Sequence, residues 1–170
     1  MTNSRSTRVG TALILLGLIV GLVGIGAWAA SGSQAPRIAL KSLSGKTLHL
    51  SDYRGKLVLV NFWAPWCPPC RQEMPDLEAF HEAHKDTVVL GLAVSYRSKG
   101  NVANMADMMN LTYPVAYADQ QTADRFGDFR GLPTTFLISP QGRIIGHHSG
   151  VLTRTRMESY RKKYLDQPGS

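Results

Sequence analysis

Cysteine is almost absent: Cys67 and Cys70 are the only two in a chain of 170 residues, so any thiol chemistry is confined to one pair. No cysteine lies near the end of the apolar run over residues 11–30, which excludes lipid attachment there. Charged residues make up 18% of the chain, and none falls within residues 11–30. The net charge of +7 is scattered, with Arg161-Lys162-Lys163 its densest cluster. Without a basic stripe interleaved with aromatics, a nucleic-acid partner fits poorly, and the cluster reads as a solvated helix face. No internal repeat or low-complexity tract is present. The length and the 44% hydrophobic content allow one globular domain with a full core.

Arg5 and Arg8 precede the apolar run. About twenty apolar residues suffice to cross the hydrocarbon core as a helix. The basic flank keeps the short N-terminus in the cytoplasm and sends the rest across. Ala27-Trp28-Ala29 and Ser33-Gln34-Ala35 are segments a signal peptidase could read. The run exceeds the roughly 7 to 15 residues of a signal-peptide core, so an uncleaved anchor is expected. Residues 1–35 are therefore expected to form a signal anchor and linker, and residues 36–170 the folded domain.

Within that domain, residues 38–40 and 46–50 flank Ser44-Gly45 as a hairpin, and residues 51–55 form a turn. Residues 57–62 and 88–94 are apolar at consecutive positions, the pattern of strands covered on both faces. A helix is expected over residues 69–84, kinked by Pro75, and a second over 101–110 with Met105, Met108 and Met109 packing into the core. A short strand at 113–118 and a short helix at 122–126 follow. Strands at 134–138 and 144–148 are joined by the turn Pro140-Gln141-Gly142-Arg143, and a helix is expected over 153–165 with Thr153 as its cap. This order describes an α/β domain with a mixed sheet between helices.

The two cysteines stand in Trp66-Cys67-Pro68-Pro69-Cys70, where a buried strand meets a helix start. The free N–H groups and positive dipole end there favour a Cys67 thiolate, which makes Cys67 the nucleophile and the deeper Cys70 the resolving thiol. Pro68 and Pro69 carry no N–H, which removes two donors to that thiolate and makes the couple less oxidising. Pro69 also disfavours helical ψ at Pro68, so the helix is expected to begin late. Half of a zinc site is the other reading of Cys-x-x-Cys. His81 and His84 follow, but both the central and the His-to-His spacings are shorter than in zinc fingers, and the two histidines fit an exposed helix face.

Asn61-Phe62-Trp63-Ala64-Pro65-Trp66-Cys67-Pro68-Pro69-Cys70-Arg71-Gln72-Glu73-Met74-Pro75, together with Gly131-Leu132-Pro133-Thr134-Thr135-Phe136-Leu137-Ile138, resembles the thioredoxin superfamily. The resemblance is to its membrane-anchored extracytoplasmic branch, which includes the TlpA, ResA and cytochrome c maturation thioredoxins, and covers about residues 36–165. It implies a thioredoxin-like fold with an N-terminal hairpin and a central insertion over residues 95–117. It implies further that Pro133 is a cis-proline facing the cysteines, and that Glu73 tunes their pKa values and takes part in proton transfer. An exposed first-turn glutamate, favoured by the helix dipole, is the other reading of Glu73. Asn61 stands where cytoplasmic thioredoxins have a buried aspartate, so it cannot accept a proton. Trp66 is expected to cover the site's edge and meet the partner.

The function implied is a thiol–disulfide oxidoreductase on the outer side of a bacterial plasma membrane that reduces disulfides in exported clients. Those clients include apocytochrome c and metal-chaperone or oxidase-assembly proteins. It needs no cofactor and is regenerated by a membrane electron donor of the DsbD or CcdA kind. A competing reading is a copper-binding module that holds Cu(I) on Cys67, Cys70 and His147 or His148. Those histidines are adjacent in a strand and point to opposite faces, so at most one could join. A peroxidase is disfavoured because the Pro-x-x-x-Thr-x-x-Cys context is absent.

Overall fold

The computed structural model describes residues 32–165. The expected anchor over residues 11–30 lies outside them. No helix among the described residues is long and apolar enough to cross a membrane.

Among the described residues, eight strands and four α-helices follow in the order β1 (Ser33–Gln34), β2 (Ala39–Lys41), β3 (Thr47–His49), β4 (Leu57–Trp63), α1 (Pro68–Ala83), β5 (Thr87–Ala93), α2 (Lys99–Met108), β6 (Val115–Tyr117), α3 (Gln120–Asp124), β7 (Thr134–Ile138), β8 (Arg143–Ser149) and α4 (Arg154–Leu165). The expected turn at 51–55 is partly a 3-10 helix, Leu50–Tyr53. β2 and β3 pair as the expected hairpin, with Leu40 opposite Leu48. The other strands form one mixed sheet in the order β1-β8-β7-β4-β5-β6. β4 runs parallel to β5 and antiparallel to β7, which places it at the centre.

The continuous apolar runs of β4 and β5 have the cause the sequence suggests: every residue of both strands is buried. One face of β4 offers Leu57, Leu59 and Trp63 to a core completed by Met74, Leu77 and Phe80 of α1, Met157 of α4 and Met105 of α2. The opposite face offers Val58, Val60 and Phe62 to a second core. There Phe62 meets the rings of Phe126, Phe129 and Phe136 edge-on, with centroids 5.2, 5.5 and 6.0 Å away.

Several expectations shift. α1 starts at Pro68, because the fixed φ of proline fits a first helical turn that needs no N–H from its opening positions. α2 begins two residues early, where the Ser98 hydroxyl caps it by accepting from the Asn101 N–H at 3.2 Å. Of the three methionines read as core, Met105 is buried and Met109 packs at the core's margin, but Met108 is 68% exposed. The buried stripe of α2 runs through Val102, Met105 and Ala106, and position 108 lies off it.

β1 and the starts of β4 and β8 lie at one end of the sheet. Gln34 pairs with Arg143, Ile138 with Ile144, and Val58 with Ile138. The cysteine turn follows Trp63 at the other end.

Candidate active site

β4 ends at Trp63, and a short loop delivers Cys67 to the position just before the first turn of α1. Cys67 and Cys70 are joined as a disulfide with their Cα atoms 5.3 Å apart. The Cys67 sulfur accepts from the Cys70 N–H at 3.3 Å. Donors to a residue at this position normally come from the second and third helical residues. The second is Pro69, which has none, so Cys70 supplies the one first-turn contact.

Cys67 is 3% and Cys70 0% exposed, so the expected accessible sulfur is covered in the disulfide form. Cys67 lines a groove of about 320 Å³ together with Trp66, Val94, Phe129 and Leu132. Trp66 is 60% exposed, and its indole N–H donates to the Ser95 carbonyl at 2.6 Å. The Leu132–Pro133 bond is cis, at the position the resemblance implied. Leu132 places that bond at the groove's edge, and the Pro133 carbonyl accepts from the Gly150 N–H at 2.9 Å.

Glu73 lies one helical turn beyond Cys70, on the same buried face of α1. It is 0% exposed, which overturns the surface reading. Its Oε1 accepts from Asn61 Nδ2 and its Oε2 from the Leu152 N–H, both at 2.7 Å. Burial pushes its carboxyl up to about 7, and the two hydrogen bonds pull the other way without cancelling it. Asn61 Nδ2 also donates to Thr135 Oγ1 at 3.0 Å, while its Oδ1 has no partner. Sequence reasoning missed Thr135 and Leu152 as members of this cluster. Thr135, two residues after Pro133 in a buried strand, carried a signal as a polar residue at the head of an apolar run; a backbone N–H carries none.

The histidines of the competing readings are occupied elsewhere. His81 and His84 are half-buried, because α1 lies against the sheet and α4. The His81 ring accepts from the Val89 N–H at 3.3 Å, and burial holds its pKa below the ordinary value. His84 contacts Glu158 at 2.9 Å and packs against Phe80. His148 contacts the Val151 carbonyl and the Tyr160 hydroxyl, and His147 faces Asp128 and Phe136. Among the described residues no three His, Cys, Asp or Glu side chains form a group that could hold a metal ion.

Residues 31–147 match the AhpC/TSA family. The chain belongs to this family. The chain resembles the thioredoxin-like protein YneN of Bacillus subtilis, 38% identical over 130 residues that span 75% of this chain and 76% of the relative. It resembles the thiol-disulfide oxidoreductase ResA of the same organism at 36% over 140 residues, 81% of this chain and 76% of that one. A thioredoxin-family thiol:disulfide interchange protein of Chlorobium tepidum superposes with a TM-score of 0.72 at 30% identity, covering 80% of this chain and 98% of that structure. This AhpC/TSA member thus has a thioredoxin-like fold and is a thiol–disulfide oxidoreductase.

Proposed function

We propose that the protein works as a reductase of disulfides in exported proteins, held at the outer face of a bacterial plasma membrane by residues 11–30. The observation that carries the direction is the single first-turn donor at Cys67, the Cys70 N–H at 3.3 Å. A thiolate with few donors is weakly stabilised, and a couple whose reduced form is weakly stabilised gives electrons away. The sequence of the N-terminal run supports the location.

The reaction balances without a cofactor. The Cys67 thiolate attacks one sulfur of the client disulfide and forms a mixed disulfide, and the client's other sulfur leaves and takes up a proton. Cys70 then loses its proton and attacks Cys67, which releases the second client thiol and leaves the Cys67–Cys70 disulfide. Two electrons pass to the client. Glu73, buried and near neutral pKa one turn from Cys70, serves as acceptor of the Cys70 proton. Leu132, just before the cis bond to Pro133, presents backbone to the client, and Trp66 forms the rim it crosses. Apocytochrome c and oxidase-assembly proteins are the client classes proposed. A membrane thiol donor of the DsbD or CcdA kind restores the dithiol.

Insulin reduction with dithiothreitol as electron source tests the reading. The wild-type chain should accelerate it and Cys67→Ser should not, while Cys70→Ser should accumulate mixed disulfides visible on non-reducing gels. Equal inactivity of wild type and Cys67→Ser would refute the reductase assignment.

A further inference from the structure

Trp66 separates two grooves. The first lies over the disulfide. The second, of about 610 Å³, opens on the other side of the indole and is lined by Pro65, Trp66, Tyr96, Arg97, Met105 and Met108 among others. Resting on the reductase reading above, we propose that this second groove is a client subsite. It takes an apolar side chain of an extended client segment that carries an acidic residue beside it.

The first argument is continuity. Trp66 and Ser95 line both grooves, so a peptide bound across the disulfide runs into the second groove over one shared wall. That wall is fixed: the Trp66 N–H is held by the Ser95 carbonyl at 2.6 Å, and Ser95 has φ 52°, an uncommon conformation for a residue with a Cβ.

The second argument is the exposure of large apolar groups. Trp66 and Met108, at 60% and 68% exposed, are the two large hydrophobic side chains left open among the described residues, and both line this groove. Methionine is unbranched and polarisable, and adapts to side chains of different shape. A reductase that serves several clients needs such a lining.

The third argument is charge. Arg97 is the one charged side chain in the lining, and it makes no ion pair with any described residue. Arg97 favours a carboxylate on the segment that enters. At about 3.3 Å per extended residue, a groove one indole away from Cys67 is reached about three residues from the attacked cysteine.

The test uses the full-length chain, dithiothreitol as reductant, and looped peptides with one internal disulfide. The residue about three positions from the attacked cysteine is Leu or Ser, and its neighbour Glu or Lys. Glutathione disulfide serves as a substrate that cannot reach the groove. The wild type should favour Leu-Glu over Ser-Lys by about ten-fold in kcat/KM, carried by KM. Met108→Ser should bring the Leu-to-Ser ratio near one, and Arg97→Glu should invert the Glu-to-Lys preference. Ratios within one variant cancel changes in its active fraction, and the wild-type panel decides even without the variants. Equal kcat/KM across the panel, with glutathione disulfide still reduced, overturns the subsite and leaves the reductase reading standing. Failure to reduce any of these substrates overturns both. A concentration-dependent dimer that Met108→Ser abolishes would show that the groove holds a second copy of this chain, and would also overturn the proposal.

Discussion

Replacing Glu73 by glutamine removes the titrating group from the buried bridge between α1, Asn61 of β4 and the Leu152 N–H. Burial raises this carboxyl from 4.5 to about 7, against the opposing pull of its two hydrogen bonds. Between those values the folded chain keeps a proton that the unfolded chain has released. Its contribution to stability is therefore complete below 4.5, declines as pH rises through the window, and is gone above about 7. The span corresponds to about 3 kcal/mol. His81 has the opposite sign, since its lowered pKa makes stability rise as pH approaches its ordinary 6.5. It is present in both proteins, so it cancels in the difference. The amide should pack well: Leu152 N–H can keep the glutamine oxygen, and the unpartnered Asn61 Oδ1 can turn to accept from the new N–H. Urea unfolding of the oxidised proteins, followed by tryptophan fluorescence from about pH 5 to 8, measures the effect. The stability of wild type minus that of Glu73→Gln should fall by about 2.5 kcal/mol across that range, the rest of the span being lost already below pH 5. Parallel curves would mean that Glu73 ionises at its ordinary pKa, and would refute its assignment as a neutral-pH proton acceptor.

Two further outcomes are expected. Pro69→Ala restores an N–H at the second helical position, aimed at Cys67. It should raise the reduction potential by roughly 30–60 mV, read by equilibration with glutathione, because a hydrogen bond to a charged group contributes about 1.5–3 kcal/mol. An unchanged potential would remove the argument for the reducing direction. Phe62→Ala empties a site packed by Phe126, Phe129 and Phe136 and should cost about 3–5 kcal/mol in chemical denaturation; a loss below about 1 kcal/mol would mean that the rings collapse to fill it.

The strands were readable because burial on both faces leaves continuous apolar runs, and β4 and β5 are such strands. The cysteine pair and Pro133 were readable from local motifs whose residues lie close in sequence. The environment of Glu73 was not, because it joins β4, α1 and a backbone N–H 79 residues away. No pattern local to position 73 separates a buried glutamate from a surface one. Met108 misled for a different reason: its neighbours Met105 and Met109 face the core, and composition alone does not show which methionine falls off the stripe. The helix start was misjudged because the restriction on a residue before proline was weighed above the fit of two prolines to an opening turn.

Residue 33 enters the sheet opposite Ile144, at the end where β4 begins, whereas the disulfide follows the end of β4. Seven strand residues, at about 3.3 Å each, put roughly 20 Å between these two ends. Linkage to a bead, an electrode or a fusion partner ahead of residue 33 would therefore leave the redox face outward, so an immobilised form should act on bulky proteins as readily as on small peptides.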